Sequence, residues 1–148
     1  MGVNMYTKEL SENFTLGEMS GRRQDNIPNS EHLINLVILT QRVLQPLRNK
    51  FGSIRVNSGY RCKEYNKSIG GVSNSQHTLG LAVDIVPLNC EIEGVFKYIV
   101  DNLEFDQAIL ETGQYSKWIH VSYNLGENRK QAMTAKVTNE GTHYSKWG

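Results

Sequence analysis

The chain has 148 residues, enough for one domain whose core needs no covalent staples. Hydrophobic residues make up 39% and charged residues 21%, and the net charge is +1. This balance excludes a disordered chain and gives no electrostatic basis for binding nucleic acid. No apolar run approaches the length of a membrane span. The start, MGVNMYTKELSENF, lacks the apolar stretch of a secretory signal, and Tyr6 replaces the Ser or Thr that a myristoylation motif carries after Met1-Gly2. The two cysteines, Cys62 and Cys90, form no CxxC pair and are expected as free thiols of a reducing compartment.

Taken in order, Thr15-Leu16-Gly17-Glu18 fits a capping box and predicts a short helix over residues 16–20. A polar loop, GRRQDNIP, follows. From Ser30 to about Phe51, Leu33, Val37, Leu44, Leu47 and Phe51 recur at helical spacing. Asn29 or Ser30 suits the cap and Gly52 the exit, while Pro46 predicts a kink or an end. His32, in the first turn, reads as a polar surface side chain. SIRVNSGY reads as a strand and turn, CKEYNKSIGG as a short helix closed by Gly70 and Gly71, and LAVDIV as a strand. A helix is expected from about Glu91 to Leu103. DQAILE and WIHVSY read as two further strands separated by the polar TGQYSK. The core is expected over about residues 10–125. The polar segment 126–148 adds at most one strand, KQAMTAKV, and His143 there reads as solvated. The order of elements predicts one α+β domain with a mainly antiparallel sheet and helices packed on one side.

Alternation along the strands locates the chemistry. In LAVDIV, Val83 and Ile85 face the core, so Asp84 points to the other side, beside the small Ala82. In WIHVSY, Ile119 and Val121 take the apolar face and His120 the opposite one. If DQAILE and WIHVSY form a hairpin, Glu111 opposes Trp118 and Ile109 opposes His120, which sets Glu111 diagonal to His120 on the same face. A slip of one residue would turn Glu111 away. His77, just before LAVDIV, completes a set of imidazole and carboxylate side chains suited to one zinc ion. Arg61, after the Ser58-Gly59 turn, offers a charged fork to an oxyanion or a carboxylate.

Three stretches carry a family resemblance. Ser75-x-His77-x-x-Gly80-x-Ala82-x-Asp84 resembles the first zinc motif of the D-alanyl-D-alanine carboxypeptidase and L-alanyl-D-glutamate endopeptidase family. SGYR, Ser58 to Arg61, resembles its arginine segment, and WIHV, Trp118 to Val121, resembles its Trp-x-His motif. The likeness runs from NFTLGEM to NRKQAM and is nearest to the short, phage-type members. It implies a Hedgehog-like α+β domain holding one Zn2+ on His77, Asp84 and His120. Arg61 is then an oxyanion or substrate ligand, and peptidoglycan stem peptides are the substrate. Ser75 and Trp118 become substrate-side candidates, although a turn role suits Ser75 equally and sheet packing is the plainer reading of Trp118. Many members carry their base three residues before the last histidine. Here Lys117 stands there, and Glu111 is the candidate base instead. A monomer that avoids nucleic acid and membrane insertion is expected, made in the cytoplasm without a signal and acting at the bacterial wall as a phage lysin or a virion component. Both bond specificities stay open, as do a non-catalytic zinc module and a structural phage protein.

Overall fold

The computed structural model describes residues 5–148; the Met1-Gly2 start lies outside them. After a 3₁₀ turn, Met5–Thr7, strands β1 (Glu9–Ser11) and β2 (Phe14–Thr15) form a small antiparallel pair. The capping box forms as expected: Glu18 N–H donates to Thr15 Oγ1, the Glu18 side chain takes the Thr15 N–H, and helix α1 runs Leu16–Ser20.

The long helical segment opens on Asn29, whose Oδ1 accepts from His32 N–H. It proceeds as α2 (Ser30–Leu39), a π-helical turn (Thr40–Leu44) and α3 (Gln45–Phe51), and leaves through Gly52 at φ 83°. Pro46 does not end it. The widened turn lies just before the proline, where Gln45 N–H reaches back to Thr40 O. A five-residue reach absorbs the crowding that the ring would bring to a regular ladder.

A six-stranded sheet follows, in the order β3-β4-β6-β5-β7-β8. Its strands are β3 (Ile54–Ser58), β4 (Ala82–Pro87), β5 (Gln107–Thr112), β6 (Lys117–Ser122), β7 (Gln131–Thr138) and β8 (Gly141–Lys146). All neighbours are antiparallel except β5 and β7, which run parallel. The fold is therefore α+β with a mainly antiparallel sheet. Helix α4 (Lys63–Ser68) and a 3₁₀ turn (Gln76–Leu79) lie between β3 and β4, and α5 (Ile92–Asn102) links β4 to β5.

Period-two alternation splits this sheet into two faces. Val83, Ile85, Ala108, Leu110, Ile119 and Val121 are buried on one face, against Leu36, Leu39, Leu47, Val95, Phe96 and Ile99 of the helices. The other face carries Asp84, His120, Ile109 and Glu111. The polar tail contributes two strands rather than one. GTHYSK has no apolar alternation and is exposed throughout, so nothing in its side chains announces β8. Its main chain pairs with β7, and Trp147 beyond it packs edge-on against Phe96, with ring centroids 4.9 Å apart. Among the described residues no helix is long and apolar enough to cross a membrane.

Candidate metal centre

β4 and β6 pair so that Asp84 and His120 are direct partners. His120 Nδ1 lies 3.1 Å from Asp84 Oδ1. His77 arrives from above the sheet on the 3₁₀ turn, and its Nε2 lies 3.4 Å from the same oxygen. One ligand atom from each residue falls within 4.8 Å of the others.

His77 is held from three sides. Its Nδ1 lies 2.7 Å from Gly59 O, its own carbonyl accepts from Arg61 N–H, and its N–H donates to Ser75 Oγ. Gly59 has no room for a side chain, because a Cβ there would meet the Met19 carbonyl. The turn closes at Gly80, whose φ of 76° and whose hypothetical Cβ, 2.5 Å from His32 O, both demand glycine. These contacts explain the glycines at positions 59 and 80.

The donor set can be tested against a metal. A carbonyl oxygen only accepts, so His77 Nδ1 carries the proton and a neutral ring then presents a lone pair at Nε2. That lone pair points at the Asp84 carboxylate, inside a site where His77 is 3% exposed. Two acceptors face each other here, an arrangement that a cation between them satisfies. Tetrahedral zinc with bonds of about 2.0–2.1 Å separates its ligand atoms by about 3.3 Å, and the two spacings to Asp84 Oδ1 are 3.4 and 3.1 Å. The residues fit the ion. Burial by itself pushes the Asp84 carboxyl up, but hydrogen bonds and charge from His120 and His77 outweigh it and hold the group well below the usual carboxylate range.

Arg61 sits beside this centre. Its Nε donates to Ser58 Oγ and its Nη1 to Asn66 Oδ1, and Nη2 lies 3.7 Å from Asp84 Oδ2. Glu111 is on the same face in the expected register, opposite Trp118 and diagonal to His120. Trp118 donates its indole N–H to Glu111 Oε2 at 2.8 Å. Burial, and then the Asp84 charge, raise the Glu111 carboxyl above its ordinary range, against the opposing pull of His120 and the Trp118 bond. Lys117 points away and pairs with Glu93. Ser75 lines the cleft and also accepts from His77 N–H, so it caps the turn.

A model of the family described as peptidase M15 matches residues 12–122. The chain belongs to the peptidase M15 family. No curated protein matches it. The M15 match contains all three residues of the His77, Asp84 and His120 cluster, together with Arg61 and Glu111. Zinc is the metal on which M15 peptidases depend.

Sequence reasoning missed several supports of this M15 site. Asn26, buried in the loop expected to be merely polar, donates to Ser20 O and Tyr60 O and accepts from Cys62 N–H, pinning the segment that carries Arg61. An asparagine before Ile-Pro is the only signal for it. His32 is not a free surface side chain: it is half-buried, with Nδ1 3.2 Å from Tyr60 Oη. Asp106 read only as the first residue of a strand, but its buried carboxylate takes hydrogen bonds from Gln76, next to His77, and from Arg129. Cys62 and Cys90 are free, as expected.

Proposed function

We propose that the protein is a single-domain, zinc-dependent peptidase that hydrolyses the peptide stems of bacterial peptidoglycan. One observation carries the reading. His77 is fixed by the Gly59 carbonyl so that its Nε2 lone pair meets the Asp84 oxygen that His120 Nδ1 also approaches, at spacings that suit one ion. An N2O ligand set of this kind leaves a coordination position for water, as catalytic zinc sites do.

His77, Asp84 and His120 are the ligands. Bound there, zinc supplies Lewis acidity and a water of lowered pKa. Glu111 takes the proton of the attacking water and returns it to the leaving amine; its raised pKa suits a group that must hold a proton between those steps. Trp118 orients that carboxylate. Arg61, steadied by Ser58 and Asn66, stabilises the oxyanion that develops on the carbonyl. The resemblance to short phage-type members supports a role in lysis of the host wall, or in a virion, by a monomeric protein.

Purified peptidoglycan and a defined muropeptide, incubated with the zinc-loaded protein and with chelator, test this. New amino groups and product masses that identify one cleaved bond, abolished by chelator, are expected. Intact substrate in both samples refutes the reading. Glu111→Ala separates an enzyme from a zinc-binding module: turnover is lost while bound zinc stays at one ion.

A further inference from the structure

The cleft over the metal face encloses ≈ 340 Å³, and Ser75, Gln76, Glu111, His120, Arg129 and Tyr144 are among its walls. The last two lie beyond residue 122, where the M15 match ends. Asp106 holds Arg129, two residues before β7, and strand pairing brings in Tyr144. Glu111 pairs with Ala135 across the parallel β5–β7 ladder, and Ala135 pairs with Tyr144 across β7–β8. All three therefore face the same side. Two strand spacings separate Tyr144 from Glu111, about 10 Å, the reach of roughly three extended residues. Between them Ala135 presents only a methyl group.

Arg129 is the only lysine or arginine among the residues that line this cleft. It is also fixed in place. Its Nε donates to Asp106 Oδ1 at 3.1 Å, its Nη2 to Oδ2 at 2.8 Å, and its main-chain N–H to Oδ1 at 3.0 Å. Asp106 is 2% exposed, so the anchor is buried. The Arg129 side chain is more than half exposed, and Nη1 makes no hydrogen bond among the described residues. One edge of the fork is thus spent on the protein and the other is offered to the cleft. An arginine whose rotamer is set in advance loses little entropy when it binds a carboxylate.

We propose that Arg129, braced by Asp106 in the cleft that Tyr144 also lines, binds a carboxylate of the peptide substrate beside the metal centre. The inference rests on the peptidase reading and adds a specificity subsite built by residues that the family match does not include. Two carboxylates of a stem peptide have this chemistry, an internal one and the C-terminal one, and each contributes one arm of the test.

Zinc-loaded Glu111→Gln is titrated calorimetrically with three peptides: both carboxylates free, the internal one amidated, and the C-terminal one amidated. One of the two amides is expected to bind about 10- to 100-fold more weakly than the free acid, the usual size of a charge-assisted pair. That arm identifies the carboxylate. Adding Arg129→Gln should bring all three peptides within about 2-fold of one another at unchanged zinc content. Where Arg129→Gln alone weakens the fold, Asp106→Asn with Arg129→Gln removes both charges together and is held to the same criterion. A preference that survives the loss of Arg129, or an equal loss for all three peptides, overturns the assignment. Wild-type turnover distinguishes the two readings. Cleavage without any acid preference sinks only the subsite, while acid-selective binding without cleavage sinks only the peptidase.

Discussion

Asp106→Asn is the most informative single change outside the His77, Asp84 and His120 cluster. Asp106 receives four hydrogen bonds: three from Arg129 and one from Gln76 Nε2 at 2.9 Å. The Arg129 hydrogen bonds, against the cost of burial, lower its carboxyl from the ordinary 3.8 to about 2. A carboxyl held that far down stabilises the folded state by about 2 kcal/mol at neutral pH. Screening at the exposed Arg129 reduces this to about 1–2 kcal/mol. The sign follows from the direction of the shift. The folded group binds its proton less readily than the unfolded one, so the stabilisation is complete above about pH 4 and is lost as the pH falls through about 2. Urea unfolding of wild type and variant between pH 7 and 2 should show the midpoint of Asp106→Asn lowered at pH 7, with an unchanged m-value. The gap should close between pH 4 and 2. Hydrogen exchange should quicken most in β7 and β8, which this contact ties to the body of the sheet. A deficit that stays constant down to pH 2 would refute the ionic account, and no deficit at all would refute the anchor.

Three further outcomes are expected. Zinc at about 100 times its dissociation constant should raise the melting temperature by roughly 5–10 °C, from about 2.7 kcal/mol of linked binding; calorimetry with chelator and with His120→Ala, which should show no rise, checks it. Gly80→Ala should cost about 2–3 kcal/mol in urea unfolding, because strain at positive φ adds to a Cβ 2.5 Å from His32 O. Gly70→Ala, at φ 77° with nothing within 4 Å, should cost only about 1 kcal/mol, and equal costs would dismiss the contact. Trp118→Phe should lower kcat about 10-fold and keep zinc, since a hydrogen bond to a carboxylate contributes about 1.5–3 kcal/mol. The acid limb of its pH profile should move to higher pH, because the lost N–H favours the ionised carboxylate.

The parts of the site that a period of two can reach were legible in the sequence. Val83 and Ile85 on one side force Asp84 to the other, Ile119 and Val121 do the same for His120, and the hairpin register of Glu111 against Trp118 follows from loop length. The unread parts have no local pattern. β8 is held by main-chain bonds and by Trp147 on Phe96, neither of which leaves a trace in GTHYSK. The parallel β5–β7 pairing depends on a connection that passes from one edge of β5 to the other, which alternation does not encode. Asn26 and Asp106 matter through partners tens of residues away, Tyr60 and Arg129, and a polar residue in a loop or at a strand start looks the same with or without them. Pro46 distorts the helix without ending it, because its effect is local while the helix is held globally. Leu39, Val43, Leu44 and Leu47 are all fully buried, and their packing outweighs the cost of one widened turn.

The two histidines meet the same carboxylate oxygen with different ring nitrogens, and the backbone dictates which. His120 is the direct strand partner of Asp84, so its main chain is already close and the nearer nitrogen, Nδ1, suffices. His77 descends from a 3₁₀ turn above the sheet, and only the distal Nε2 spans that gap. This leaves Nδ1 of His77 pointing back into the protein, where the Gly59 carbonyl holds it. Gly59 precedes Tyr60 and Arg61, and Arg61 N–H returns to the His77 carbonyl. One pair of hydrogen bonds therefore fixes the His77 ring and the origin of the arginine side chain together. A shift of the 3₁₀ turn relative to β3 cannot misplace His77 without misplacing Arg61. The Ser58-Gly59-Tyr60-Arg61 and Ser75-x-His77 motifs are thus two halves of one contact, which is why they belong together though fifteen residues lie between Arg61 and His77.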